Sequence, residues 1–129
     1  MVEKSPRLRV LIVDDEPLIR WCLAETLSDC GHSVIEAGDG DTAIRALEDS
    51  DESIDVILLD YRLPDSNDLT LLSTIRRMAP RAAVIMMTAY GTPEVAKAAL
   101  ELGACRVVPK PFEVHDMADL VLQVRAFGT

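Results

Sequence analysis

Leu8-Arg9-Val10-Leu11-Ile12-Val13-Asp14-Asp15-Glu16-Pro17 begins with branched apolar residues and stops at two adjacent carboxylates. A short apolar run of this kind reads as a strand. From Pro17 to Cys30 the period changes, and Leu18, Ile19, Cys22, Leu23 and Leu27 recur at helical spacing. Pro17 near the start and Gly31 just past the end punctuate that helix. Proline has no N–H to lose in a first turn, and glycine accepts the left-handed conformation that closes a helix.

The same alternation runs on along the chain. Ser33–Ala37, Asp55–Leu59, Ala83–Met87 and Cys105–Val108 read as strands, with Gly38–Gly40 a turn. Asp41–Glu48, Leu69–Met78, Pro93–Leu102 and Val114–Phe127 read as helices, with Pro93–Leu102 closed by Gly103. Five strands alternating with five helices predict an α/β domain with a doubly wound parallel sheet and helices on both faces. Four of the strands are continuous apolar runs, as both-face burial requires. There is no internal repeat and no low-complexity segment.

With 129 residues and 49% apolar content, the chain is large enough for one buried core. A net charge of -9 argues against nucleic-acid binding by this chain and suits a cation or a basic partner surface. Cys22, Cys30 and Cys105 are odd in number and lack metal-ligand spacing, so they read as reduced thiols. No apolar run reaches the roughly 18 residues of a membrane span, and Met1–Arg9 leads into no signal-peptide core. A cytoplasmic location with no membrane partner is the expectation.

In sheets of this kind ligands gather at the carboxyl ends of the strands. Asp14 and Asp15 close the first strand, Asp60 the third and Thr88 the fourth, and Lys110 follows the fifth. Singly, each has a plain structural reading: a helix cap, a turn residue or a solvated loop cation. Together they form one complementary set. Three neighbouring carboxylates repel unless a cation joins them, and an all-oxygen donor set suits Mg²⁺. Lys110 and Thr88 can stabilise charge on the equatorial oxygens of a phosphoryl group in transfer. One carboxylate remains as nucleophile, giving an aspartyl phosphate.

The segments Val13-Asp14-Asp15-Glu16, Leu59-Asp60-Tyr61-Arg62-Leu63-Pro64-Asp65, Met87-Thr88-Ala89-Tyr90-Gly91 and Pro109-Lys110-Pro111-Phe112 resemble, in order and spacing, the receiver domain of two-component response regulators. The resemblance spans residues 8–127, leaving an arm over 1–7 and a tail or linker start at 128–129. It implies a flavodoxin-like sheet with strand order 2-1-3-4-5. It implies that Asp60 accepts a phosphoryl group from a phosphohistidine on a sensor histidine kinase or phosphotransfer protein. It further implies Mg²⁺ on Asp15, Asp60 and the carbonyl of Arg62, with Asp14 assisting through water. Thr88 and Lys110 would contact the phosphoryl oxygens, and the Lys110-Pro111 peptide would be cis.

Three departures from the family pattern matter. Val107 stands where an aromatic residue usually changes rotamer as the threonine moves, so the segment 88–103 is expected to shift without an aromatic swing. Asp68 stands where glycine is usual, so Asn67-Asp68 would carry a turn less comfortably. Arg62 and Tyr90 either shield the phosphoryl bond from water or only line the entrance.

The implied function is a phosphorylation-controlled switch rather than an enzyme, with its own phosphoryl transfer and hydrolysis at Asp60 as its only chemistry. Its output surface would be helix four, strand five and helix five, where Val95, Leu102, Val121 and Val124 can offer contacts, though some of them must serve the core, and a homodimer can form. The segment Met87–Glu94 most resembles receivers of transcription activators that carry an ATPase domain, so an output domain would follow. A stand-alone receiver is the alternative, as is a degenerate receiver used only for binding. A Mg²⁺-dependent phosphohydrolase is a weaker one, because such enzymes place an acid two residues after the nucleophile, where this chain has Arg62.

Overall fold

The computed structural model describes residues 7–49, 53–66, 69–89 and 91–127, with the side chains of 125–127 excepted. The arm over 1–6, the Asn67-Asp68 turn, Tyr90 and the tail at 128–129 lie outside the described residues. Five strands alternate with five helices: β1 (Arg9–Val13), α1 (Pro17–Asp29), β2 (Ser33–Ala37), α2 (Gly40–Asp49), β3 (Val56–Asp60), α3 (Thr70–Met78), β4 (Ala83–Thr88), α4 (Pro93–Glu101), β5 (Arg106–Pro109) and α5 (Val114–Phe127). All strand pairs are parallel, in the order β2-β1-β3-β4-β5. The expected doubly wound, flavodoxin-like order is therefore present.

The two-residue period of the central strands builds two cores. Leu11, Val13, Ile57, Leu59, Val84 and Met86 pack on one face against α2, α3 and α4. Val10, Ile12, Val56, Leu58, Ile85 and Met87 pack on the other against Leu23 and Leu27 of α1 and Met117 and Val121 of α5. Because both faces are covered, Val10–Val13 of β1, Val56–Leu59 of β3 and Ala83–Met87 of β4 are all apolar and buried. Truncating a fully buried leucine such as Leu58 to alanine costs about 2–5 kcal/mol, through lost burial and the cavity left behind.

Two details differ from the sequence reading. Leu18 falls on the apolar period of α1 yet is 71% exposed, beside Trp21 at 58%. The buried face of α1 is carried instead by Leu23, Ala24 and Leu27. Val107 and Val108 of β5 are only half-buried, because β5 is an edge strand with one neighbour. Of the four residues expected to offer output contacts, Val121 and Val124 are core, Val95 is half-buried and Leu102 is exposed.

Gly31 and Gly103 follow α1 and α4 with φ of 94° and 109°, the left-handed conformation expected of residues that close a helix. The register pairs Val13 with Leu59, Asp60 with Met87 and Thr88 with Pro109. This stagger brings the carboxyl ends of β1, β3, β4 and β5 to one edge, and the site is built there.

Candidate functional site

Each strand delivers its side chain where apolar burial ends. Asp14 follows the last residue of β1, and its amide continues the ladder by donating to the Ala37 carbonyl at 3.0 Å. Asp60 is the last residue of β3 and Thr88 the last of β4, and both are buried. The Lys110 amide donates to the Thr88 carbonyl at 2.9 Å, which ties the loop after β5 to the end of β4. The Lys110-Pro111 peptide is cis, as the resemblance implied.

The ammonium of Lys110 is the centre of the cluster. Its Nζ donates to Asp14 Oδ2 at 2.9 Å, Glu16 Oε1 at 3.0 Å and Asp60 Oδ2 at 3.2 Å. Asp14 is fully buried, and its other oxygen accepts from the Glu16 amide at 2.9 Å. Arg20 Nη1 donates to the Asp14 carbonyl at 2.7 Å while its Nε bonds Glu36 at 3.1 Å, so α1 and β2 brace the acidic turn.

Burial, then the charge of Asp14, raises the Asp60 carboxyl to about 6, against the opposing pull of Lys110 and a hydrogen bond from the Arg62 amide. A carboxylate so placed resists ionisation until a cation arrives. Burial alone would lower the Lys110 ammonium. Hydrogen bonds to Asp14 and Glu16 and the charges of Asp14 and Asp60 outweigh it, so Lys110 is held above its ordinary value.

Asp14, Asp15 and Asp60 can each offer one oxygen, and these oxygens lie within 4.8 Å of one another. The set contains no nitrogen or sulfur donor, which fits a hard divalent ion such as Mg²⁺. Both oxygens of Asp14 are already engaged, whereas Asp15 is exposed. Asp15, Glu16, Asp60, Arg62, Thr88, Ala89 and Lys110 line one open cleft of ≈ 410 Å³. All the residues singled out from the sequence at this edge thus meet in one place.

One residue was not foreseen. Glu16 has no role in the sequence reading beyond its place in the segment Val13-Asp14-Asp15-Glu16, yet its carboxylate makes no cap bond to α1 and turns to Lys110. Its place beside Asp14-Asp15 was the available signal. Gly91 also gains a reason. A side-chain Cβ there would lie 2.8 Å from the Thr88 methyl, so any larger residue would force either the loop after β4 or Thr88 to shift.

No helix among the described residues is long and apolar enough to cross a membrane. The family described as response regulator receiver domain matches residues 10–122. The DNA-binding transcriptional regulator NtrC of Azospirillum brasilense is 34% identical over 112 residues, covering 87% of this chain and 23% of the relative. The transcriptional regulatory protein CpxR of Escherichia coli is 38% identical over 118 residues, covering 92% of this chain and 48% of the relative. The chain therefore spans about a quarter of one curated relative and about half of the other. Among solved structures, a CheY-like receiver domain protein from Methanospirillum hungatei is 27% identical, with a TM-score of 0.85 over 94% of this chain and 98% of that one.

Proposed function

The chain belongs to the response regulator receiver family, and from that premise we propose that it is a switch set by phosphorylation of Asp60. The observation that carries this reading is the ammonium of Lys110 bonded to both Asp14 and Asp60, with the Asp15 carboxylate in the same cluster. The receiver unit is residues 8–127, with 1–7 an arm and 128–129 a tail or linker start.

In the proposed step an Asp60 oxygen attacks phosphorus. A new O–P bond forms, the bond from phosphorus to the donor breaks, and the leaving group keeps the electron pair. With a phosphohistidine donor on a sensor kinase or phosphotransfer protein, that leaving group is an imidazole nitrogen. Lys110 and Thr88 bind the equatorial oxygens, where charge builds up. Asp15, Asp60 and the Arg62 carbonyl would hold Mg²⁺, with Asp14 assisting through water. When bound, the ion neutralises the carboxylates and the incoming phosphoryl oxygens. Hydrolysis of the aspartyl phosphate resets the switch, so the protein has no separate substrate.

The NtrC and CpxR relatives are transcription regulators. We infer the same role for this receiver, exerted in the cytoplasm through an output domain and a face built of α4, β5 and α5 that can pair two copies. Leu100 and Leu102 supply exposed apolar contacts at that face.

Incubation with acetyl phosphate and Mg²⁺, followed by intact-mass measurement, tests the assignment. A single phosphoryl adduct is expected on the unaltered chain and none on Asp60→Ala. An adduct that persists in Asp60→Ala would sink it.

A further inference from the structure

We propose that Glu16 is a positioning residue, holding Lys110 through a displaceable third hydrogen bond and competing with the phosphoryl group for it. This rests on the reading of Asp60 as acceptor. An ammonium has three N–H donors. In this fold all three are directed at carboxylates, those of Asp14, Glu16 and Asp60. A phosphoryl oxygen that binds Lys110 must therefore displace one of them.

The three are not equal. Asp14 is fully buried, so losing Lys110 would leave its charge away from water without its counter-ion. Asp60 carries the incoming group and stays under the ammonium. The Glu16 side chain is 57% exposed, and water replaces its bond to Lys110 at small cost. Glu16 is also held within reach of Lys110. Its amide donates to Asp14 Oδ1, and its carbonyl accepts from the Arg20 amide at 3.0 Å in the first turn of α1. It sits at the N-cap of α1 yet leaves that helix end without a side-chain bond, so its carboxylate serves Lys110 instead.

A bond present in the resting site and broken in the transition state raises the barrier to transfer. Releasing an exposed ion pair of this kind is expected to speed phosphorylation about 2- to 5-fold. Glu16 would thereby keep Lys110 aligned in the resting protein and slow phosphorylation by small donors.

The test compares the unaltered chain, Glu16→Gln, Lys110→Met and the double variant, using acetyl phosphate with Mg²⁺ and mass measurement over time. The maximal rate should rise in Glu16→Gln, and the same substitution should have no effect in the Lys110→Met background. Affinity for beryllofluoride with Mg²⁺, measured by calorimetry, should tighten by a similar factor in Glu16→Gln and only when Lys110 is present. This binding cycle decides the matter if Lys110→Met transfers too slowly to time. An unchanged maximal rate and affinity overturn the proposal. So does an equal gain in both backgrounds, or a change only in the acetyl phosphate concentration needed, since both report general charge at the entrance. If the unaltered chain takes no phosphoryl group on Asp60, the underlying reading fails and this one with it. If Asp60 is phosphorylated and Glu16→Gln behaves like the unaltered chain, only the role of Glu16 fails.

Discussion

Lys110 lies nearer to Asp14 than to Asp60, at 2.9 Å against 3.2 Å, although Asp60 is the proposed acceptor. The lysine is therefore a structural counter-ion as well as a ligand for the phosphoryl group. Asp14 has no exposure to water and Lys110 is its only ion-pair partner among the described residues. Lys110→Met should destabilise the fold by about 2–4 kcal/mol near neutral pH, because it strands a buried carboxylate. Urea unfolding would measure it, and Mg²⁺ should recover part of the loss. A loss within about 0.5 kcal/mol, the ordinary range for surface substitutions, would show that the pair carries no structural load.

Asp60 should act on stability in the opposite sense. Its folded pKa, about 6, lies above the ordinary 3.8. A carboxyl raised on folding favours the native state below its unfolded value and loses that contribution as pH rises through the folded one. After allowance for the solvent that reaches the cleft, ionised Asp60 costs the fold about 1 kcal/mol at pH 7.5. Asp60→Asn without Mg²⁺ should then unfold about 3–5 °C higher at pH 7.5, with the gap closing toward pH 4. Adding Mg²⁺ should raise the melting temperature of the unaltered chain and leave that of Asp60→Asn nearly unchanged. Equal melting temperatures at pH 7.5 without Mg²⁺ would contradict the electrostatic reading.

His32 supplies a pH response outside the site. It is 6% exposed, and its Nδ1 accepts from the Leu8 amide at 3.2 Å, fixing the entry to β1. Burial lowers its pKa below 6.5. A histidine lowered on folding stabilises the native state above its unfolded value, and that contribution is lost as pH falls below 6.5 through the folded value. His32→Leu leaves the Leu8 amide without its acceptor and should cost about 1–3 kcal/mol at pH 7.5. The difference between the two proteins should shrink from pH 7.5 to pH 5.5, while Asp60 contributes equally to both. A pH-independent difference in urea midpoints would argue against protonation of His32.

Asp65 caps a helix that is not its own. Its two carboxylate oxygens accept from the amides of Gly40 at 2.8 Å and Asp41 at 3.0 Å, at the start of α2. The carboxylate thus joins the loop after Asp60 to the first turn of α2, and its charge suits a helix N-terminus. Asp65→Ala should cost about 1–2 kcal/mol, and Asp65→Asn less. Hydrogen exchange at Gly40 and Asp41 should accelerate in Asp65→Ala, and unchanged protection there would refute the capping role.

Gly91→Ala should reduce phosphorylation more than stability. Its Cβ would meet the Thr88 methyl at 2.8 Å, and Thr88 is buried with little room to move. A drop of about 10-fold in the acetyl phosphate rate is expected from misplacing one phosphoryl ligand. A rate equal to that of the unaltered chain would mean that the loop, and not Thr88, gives way.

The alternation, the parallel sheet and the edge where chemistry collects follow from the order of residues alone. Apolar runs that end in Asp14, Asp60 and Thr88 can be read without coordinates, because both-face burial forbids polar side chains until a strand ends. Helix ends at Gly31 and Gly103 were legible for an equally local reason, their left-handed φ. Only the tertiary structure decided which groups share Lys110, that Glu16 is one of them, that Asp65 caps α2, and that Leu18 and Trp21 face outward. These depend on strand register and on the angle at which each helix crosses the sheet. They join residues 24 to 96 apart in sequence. No local period encodes such distances, so a helical spacing that is true of Leu18 still cannot say whether a neighbour lies there to cover it.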